Sequence, residues 1–171
     1  AEKEKRTERV GIERSLLSTY RQLKYLTEYD VLTGIYNKPR FLAATRDMLV
    51  ANPQGRFVLV CFDIARFQLV NAFFGVQEGD RLLRHIARHL RERGRSTPLF
   101  TYGRLEGDHF AVCMPDPGRD AIETAASRIR QSLSAYPLDF DLTPVFGAYE
   151  ITDAALPAET LLDRAMLAER N

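Results

Sequence analysis

The stretch TYGRLEGDHFAVCMP, residues 101–115, decides the fold, because it is typical of a β-hairpin that carries charge at its tip. Apolar and aromatic residues lie on both sides of a turn that contains Gly107. Glu106 and Asp108 flank this glycine, and His109 follows directly. Two carboxylates and an imidazole in such a place indicate either a solvated turn or a site for a metal ion or a phosphate.

Strand and helix patterns on both sides of the hairpin predict an α+β fold. Residues 56–63, RFVLVCFD, form a continuous apolar run that indicates a central strand, and residues 141–151 indicate a further strand. The hairpin strands are expected at 98–103 and 109–114. Helical patterns mark six segments: 3–28, 37–50, 65–75, 78–93, 119–135 and 158–170. This order predicts a βαββαβ core with a central antiparallel sheet of about five strands, surrounded by helices that pack largely on one face.

The composition is that of an ordinary soluble domain, with 171 residues, 45% hydrophobic, 27% charged and a net charge of +1. We expect a linker or signalling helix over 1–28 and one domain over 29–171. The small net charge argues against a nucleic-acid partner, and no segment approaches the roughly 20 apolar residues that cross a bilayer. Cys61 and Cys113 lie in apolar runs and indicate reduced thiols of a cytoplasmic protein. The chain opens on Ala1 and closes inside a helix, so we expect a piece of a longer protein.

The first helix carries a short stripe at the 4-3-4-3 spacing of a coiled coil. The stripe consists of Ile12, Leu16, Thr19, Leu23 and Leu26. Because it spans fewer than three heptads, two interpretations stay open: a dimerising signalling helix, or a helix packed on its own domain.

Three acidic residues are expected to converge at one edge of the sheet. Asp63 ends the first strand, which in a βαββαβ core lies beside the hairpin tip with Glu106 and Asp108. Carboxylates at strand ends hold hard divalent ions, whose coordination shell is completed by substrate phosphates. The alternative is that Asp63 caps the next helix and that the hairpin acids are solvated.

A second candidate metal pair lies on the longest central helix. His85 and His89 are four residues apart and therefore share one helical face. No carboxylate motif accompanies them, which favours ordinary half-buried or exposed histidines.

Four stretches, in this order and spacing, resemble the GGDEF family, the diguanylate cyclases. They are DVLTGIYNKPRF (30–41), FDIARFQLVNAFFGVQEGDRLL (62–83), GRLEGDHFAV (103–112) and LTPVFGAYEI (142–151). The resemblance covers about residues 28–171. It implies a fold like the palm of nucleotidyl cyclases and polymerases. It also implies synthesis of cyclic di-GMP from two GTP molecules, by two facing domains that each hold Mg²⁺ ions.

The resemblance extends to several functional positions. Asp63 matches the family's metal-binding Asp, and Asp108 matches an acid associated with metal binding and catalysis. The positions for nucleotide binding are also matched, namely by Asn71, Asp80, Arg104 and Gly107, of which Asn71 and Asp80 would bind guanine.

The signature itself departs from the family pattern, because GGDEF is EGDHF here. Glu106 stands at the first glycine and His109 at the fourth residue, an acid in the family. Ala65 stands where the family has an acid, and Gln68 where it has a lysine. Ala72 and Val76 stand where the family has a second acid and a histidine. Each departure argues against GTP turnover.

These departures predict a degenerate GGDEF domain with little or no cyclase activity. It would bind GTP with Mg²⁺ or Mn²⁺, or act as a scaffold, and regulate an adjacent domain such as an EAL phosphodiesterase. A homodimer through the first helix is a further expectation.

Other interpretations stay open. The first is a slow but functional cyclase that uses Asp63, Asp108 and Glu106. In a related interpretation, His109 ligates a softer ion such as Mn²⁺ or Zn²⁺ with Asp63 and Asp108. In the last, the domain is only a dimerisation element without nucleotide affinity.

Overall fold

The computed structural model describes residues 1–116 and 118–170, which form six helices and one four-stranded sheet. The helices are α1 Glu2–Glu28, α2 Lys38–Ala51, α3 Phe67–Phe74, α4 Val76–Ser96, α5 Arg119–Ser134 and α6 Ala158–Arg170. The strands are β1 Phe57–Ile64, β2 Thr101–Glu106, β3 His109–Pro115 and β4 Pro144–Glu150. This order confirms the predicted α+β core.

The sheet is antiparallel throughout, with the strand order β2-β3-β1-β4. β1 pairs with β3 from Phe57↔Pro115 to Phe62↔Phe110. On its other edge it pairs with β4, as far as Ile64↔Pro144. β1 is therefore the inner strand that its continuous apolar sequence predicted.

Helices cover both faces of the sheet. Val58, Val60 and Phe62 pack in a core with α4 and α5. Leu59 and Cys61 pack in a second core with α2 and α6. The expectation that the helices pack largely on one face was therefore wrong. The reason is visible in β1, which lacks the apolar–polar alternation of a half-exposed strand.

The described residues form four strands, one fewer than the number of about five expected for the sheet. The edge beyond β2 carries only an isolated parallel bridge between Tyr36 and Gly103. The Arg104 amide donates a 2.9 Å hydrogen bond to the Tyr36 carbonyl at this bridge. The loop before α2 thus covers the outer edge of β2 without forming a strand.

Most element ends follow their local sequence signals. Asn37 caps α2 by accepting a 3.1 Å hydrogen bond from the Arg40 amide, and Gly75 ends α3. The hairpin differs, because β2 begins at Thr101 and not at residue 98. Leu99 has a left-handed φ of 56°, which interrupts the extended backbone before β2.

α1 has no buried residue, and its apolar stripe faces solvent. Leu16 is 66% exposed and Leu23 is 58% exposed. The end of α1 contacts the domain: Tyr25 stacks on Tyr29 with centroids 4.9 Å apart, and Asn37 donates hydrogen bonds to the carbonyls of Thr27 and Glu28. The interpretation in which the stripe packs on its own domain was therefore wrong. Among the described helices, none is long and apolar enough to span a membrane.

We predict that Gly147→Ala destabilises the domain by about 1–3 kcal/mol or more, the usual cost of overpacking. A Cβ at Gly147 in β4 would lie 2.2 Å from the Ala165 carbonyl oxygen and 2.3 Å from the Glu169 amide of α6. Since these are backbone atoms, α6 would have to move away from the sheet. Urea unfolding followed by circular dichroism measures the loss.

Gly11→Ala is the matched control, because a Cβ at that position in α1 meets nothing within 4 Å. It should leave the midpoint of domain unfolding unchanged, or raise the stability slightly through helix propensity. Equal unfolding midpoints for Gly147→Ala and the unmodified chain would contradict the prediction.

Candidate functional site

Three side chains from three elements meet where β1 ends. Asp63 is the last residue but one of β1, His109 is the first residue of β3, and Glu169 lies in the last turn of α6. His109 Nε2 is 3.1 Å from Asp63 Oδ2 and 3.8 Å from Glu169 Oε1. One potential ligand atom from each residue lies within 4.8 Å of the other two. We call these three residues the β1-edge cluster.

The β1-edge cluster is half-buried and carries two carboxylates. The side chains of Asp63 and His109 are 26% and 33% exposed, whereas that of Glu169 is only 8% exposed. Burial raises the pKa of Glu169, and the nearby Asp63 carboxylate raises it further, although the Cys61 thiol opposes this. Burial, together with the neighbouring Glu169, raises the pKa of Cys61 far above its ordinary value. The thiol beneath the cluster is thus held protonated.

Asp108 supports the hairpin through its carboxylate. Its Oδ2 accepts a 2.9 Å hydrogen bond from the Ile64 amide, at the end of β1. Its Oδ1 lies 4.0 Å from His109 Nδ1. Gly107 supplies the left-handed turn before it, with φ of 52°, and Glu106 is exposed at the end of β2. The structure thus places Asp108 beside Ile64 and His109 at the end of β1, where Asp63 lies with His109 and Glu169.

Arg104 is held by the protein itself. Its Nη1 lies 3.1 and 3.0 Å from the two carboxylate oxygens of Asp30, and its Nε donates a 2.8 Å hydrogen bond to the Gly107 carbonyl. Burial alone would raise the pKa of Asp30, but hydrogen bonds from Thr33 and the Arg104 guanidinium outweigh it and lower this pKa. This ion pair fixes the hairpin turn to the segment before α2.

Asn71 and Asp80 lie on α3 and α4, where these helices approach closely. A Cβ at Gly79 would clash with Asn71 Oδ1, so glycine lets the Asn71 side chain lie against α4 in its present position. Asn71 Oδ1 is buried and has no hydrogen-bond partner within the described part of the chain. An acceptor left without a donor inside a protein is costly.

A family model described as "Diguanylate cyclase, GGDEF domain" matches residues 27–166. The chain belongs to the GGDEF family. It is 31% identical over 122 residues to Uncharacterized protein YhcK of Bacillus subtilis, covering 70% of this chain and 33% of that protein. It is 34% identical over 118 residues to Probable diguanylate cyclase DgcE of Escherichia coli, covering 68% of this chain and 10% of that protein. This GGDEF chain therefore spans a third or less of these relatives.

The GGDEF fold is also shown by a likeness to a solved structure. The crystal structure of the coiled coil and GGDEF domain of DgcB from Caulobacter crescentus, in complex with c-di-GMP, superposes with a TM-score of 0.79. The match covers 96% of this chain and 90% of that chain at 20% sequence identity. At this identity the likeness carries the fold alone, a palm-like fold that agrees with the prediction.

Cyclases of the GGDEF family use a divalent metal ion such as Mg²⁺. Mg²⁺ requires oxygen ligands in near-ideal octahedral geometry. Here the Asp63 carboxylate contacts an imidazole, Asp108 is hydrogen-bonded to the Ile64 amide, and Ala65 offers no side-chain ligand. The residues of this GGDEF domain therefore do not fit a pair of Mg²⁺ ions held for GTP.

The histidine pair on α4 belongs to helix packing. His85 Nε2 lies 3.0 Å from both the carbonyl and the hydroxyl oxygen of Ser132 on α5. Burial, with Arg93 nearby, lowers the pKa of His89. Within residues 1–116 and 118–170, neither histidine joins a group of three potential metal ligands.

Sequence reasoning missed Glu169 as a member of the β1-edge cluster. One signal could have revealed it: Glu169 continues the buried face of α6, four residues after Ala165 and eight after Leu161. An acid at a core-facing position of a helix requires a polar partner. The ion pair of Asp30 with Arg104 was also missed, because the two residues are 74 positions apart.

We predict that Arg104→Ala destabilises the domain by about 2 kcal/mol, the usual scale for hydrogen bonds to charged groups. Folding lowers the pKa of Asp30 below its ordinary value of 3.8. The stabilisation is therefore complete at pH values above 3.8, and it is lost as the pH falls through the lower pKa of the folded state. Chemical unfolding at pH 7 and at a series of pH values below 4 measures the difference.

Arg88→Ala provides the control, because Arg88 is an exposed arginine on α4. Its stability should match that of the unmodified chain within about 0.5 kcal/mol. A difference between Arg104→Ala and the unmodified chain that does not change with pH would count against the Asp30 explanation.

Proposed function

We propose that this GGDEF domain is a regulatory module of cyclic di-GMP signalling with little or no cyclase activity. The observation that carries the proposal is the 3.1 Å contact between His109 Nε2 and Asp63 Oδ2. The carboxylate that would hold a metal for GTP is engaged by a side chain that replaces an acid of the family signature. The domain would act by binding GTP or as a scaffold.

The charges around the hairpin support the loss of turnover. Glu106 stands where the family has glycine, and a carboxylate about 4 Å from a phosphate charge costs about 4 kcal/mol at an effective dielectric of 20. Gln68 replaces a lysine that would neutralise phosphate, and Ala65 replaces an acid. Since each 1.36 kcal/mol of lost transition-state stabilisation is tenfold in rate, these changes together would lower the rate by orders of magnitude.

Binding of the guanine base has separate support. The free Asn71 Oδ1 and the nearby Asp80 are acceptors, and guanine presents N–H donors on its base-pairing edge. Their place between α3 and α4 is distinct from the altered hairpin tip. Nucleotide binding can therefore persist without catalysis.

The surrounding protein is part of the proposal. We infer that residues 1–28 form a linker or signalling helix and that residues 29–171 form the regulated domain. The chain covers 33% of YhcK and 10% of DgcE, so these relatives contain further segments beside the matched one. We propose that the adjacent domain in this protein is an EAL phosphodiesterase. A cytoplasmic location agrees with GTP as ligand and with the two buried free cysteines.

A functional diguanylate cyclase is the second candidate. Asp63 and Asp108 are retained, and the 34% identical relative from E. coli is named Probable diguanylate cyclase DgcE. In this case Glu106 would have to replace the missing acid. Formation of cyclic di-GMP decides between the two candidates.

We predict that GTP binds without forming cyclic di-GMP. Isothermal titration of the full chain with GTP, in Mg²⁺ and then in Mn²⁺, measures binding, and chromatography of the same samples measures product. Asn71→Ala should weaken GTP binding about fivefold to 150-fold, since one lost hydrogen bond to a buried partner costs about 1–3 kcal/mol. ATP is the matched control ligand, because it lacks the donors that Asn71 and Asp80 would recognise.

Cyclic di-GMP that forms in the unmodified chain and disappears in Asp108→Ala would establish the cyclase instead. If neither binding nor product is found, the scaffold interpretation is the one that remains.

We also propose a homodimer through α1, because its apolar stripe lies in solvent at coiled-coil spacing. A single helix with no buried residue gains little from its own domain, whereas a second copy would cover Leu16, Leu23 and Leu26. Two facing domains would result. That arrangement agrees with a signalling role for the helix.

We predict a mass that rises from 19.5 kDa toward twice this value as the protein concentration increases. Light scattering after size-exclusion chromatography measures it. Leu16→Glu combined with Leu23→Glu should keep the chain monomeric at every concentration, because four charges would face each other in the seam. Leu17→Glu is the control, since Leu17 is 48% exposed but lies outside the stripe. A monomeric unmodified chain, or a control as disruptive as the double variant, would refute the dimer.

A further inference from the structure

We propose that Asp63, His109 and Glu169 form a site for one divalent transition-metal ion of the Zn²⁺ type, which binds without nucleotide. The proposal goes beyond the regulatory function above and does not depend on GTP binding. It follows from the misfit between this chain and a pair of Mg²⁺ ions, and it uses Glu169, which the proposed regulatory function leaves unexplained.

The distances in the β1-edge cluster suit a single ion. Zn²⁺ binds imidazole nitrogen and carboxylate oxygen at about 2.0–2.2 Å, so neighbouring ligand atoms in a tetrahedral site lie about 3.3–3.5 Å apart. His109 Nε2 is 3.1 Å from Asp63 Oδ2, slightly closer than this separation, and 3.8 Å from Glu169 Oε1, slightly farther. Small side-chain rotations would place all three ligand atoms around one ion.

A fourth residue is placed to orient the imidazole. With Nε2 directed at the ion, His109 Nδ1 faces Asp108 Oδ1 at 4.0 Å. At 4.0 Å this is a charge contact and not a hydrogen bond; a small rotation of the imidazole that closes the distance would fix the tautomer and raise the basicity of the ring. Asp108 is itself held in place by the Ile64 amide, which makes it a positioning residue.

Charge and burial favour a cation at this point. Two carboxylates share the site, and one of them, Glu169, is 8% exposed. The single neighbouring imidazole cannot offset both, so an ion of charge +2 would relieve their repulsion and the cost of burying Glu169. Asp63 and His109 are 26% and 33% exposed, which leaves a path for the ion and a position open to water.

The donor set selects among divalent ions. Imidazole binds Zn²⁺, Co²⁺ and Ni²⁺ well, whereas Mg²⁺ prefers oxygen ligands in octahedral geometry and keeps its water. With three ligands from the protein, the site needs no phosphate to complete it. We therefore expect the affinity order Zn²⁺ > Co²⁺ > Mn²⁺ > Mg²⁺.

Metal binding would tie α6 to the sheet. The three ligands come from β1, β3 and α6, and Gly147 of β4 lies against the backbone of Glu169. An ion bound to all three would stabilise the docking of the last turn of α6. The expected consequence is a higher unfolding temperature in the presence of Zn²⁺.

The test uses the full chain without a histidine tag, freed of metal and in the absence of nucleotide. Competition with a chromophoric chelator measures Zn²⁺ affinity and stoichiometry, and visible absorption of Co²⁺ reports on coordination. We expect one ion per chain, unaffected by a roughly thousandfold excess of Mg²⁺. His109→Ala and Glu169→Gln should each weaken Zn²⁺ binding at least about tenfold to hundredfold, and Asp108→Asn should weaken it less.

His89→Ala is the matched control, because it removes a histidine outside the β1-edge cluster and should leave the affinity unchanged. Circular dichroism of each metal-free variant checks that it is folded, and Glu169→Gln keeps the shape of the side chain. The Co²⁺ spectrum should lose its protein-bound bands in His109→Ala.

Absence of Zn²⁺ binding by the unmodified chain overturns the proposal, as does unchanged affinity in His109→Ala. Binding that requires GTP, or that Mg²⁺ abolishes at equal concentration, also overturns it. Because no nucleotide is present, these outcomes are independent of whether GTP binds at Asn71.

Discussion

The structure depends on the complete burial of β1. A strand with a partner on each edge and helices on both faces exposes no side chain to solvent until it leaves the sheet. From Phe57 to Phe62 every residue of β1 is buried, and Asp63 is its first polar side chain. A charge can be accommodated only where the burial ends. The position of the site at this edge is therefore a consequence of how the core is built.

The hairpin tip reaches this edge because polar groups of its own hold it there. Asp108 accepts a hydrogen bond from the amide of Ile64, which lies two residues beyond the last pair of β1 with β3. Arg104 binds Asp30 and the Gly107 carbonyl across the turn. Both residues match functional positions of the family, yet here each has a structural partner. Each of them therefore has a structural role that does not depend on catalysis.

Local sequence patterns were sufficient for most helices and strands and for their order, and insufficient for the layers of the fold and for the site. The apolar run of β1, the cap at Asn37 and the breaks at Gly75 and Gly107 act over a few residues, so they could be recognised in the sequence. The faces covered by helices and the partners of Arg104 and His109 depend on packing between distant segments. For Glu169 the only local signal was an acid on the buried face of α6, and its partners are 106 and 60 positions away.

The β1-edge cluster contains two carboxylates, one from β1 and one from α6. The family signature places an acid at the position of His109, so the histidine removes one carboxylate from the hairpin. Glu169 brings a carboxylate to the same place from α6. The carboxylates beside His109 thus come from a strand and a helix, and the histidine adds a nitrogen ligand. Repulsion between the acids still calls for a cation, whereas the geometry for two phosphate-bound Mg²⁺ ions is gone. The substitutions on which the proposed loss of turnover rests would therefore also give this edge a nitrogen ligand, and a metal ion held there would join α6 to the sheet.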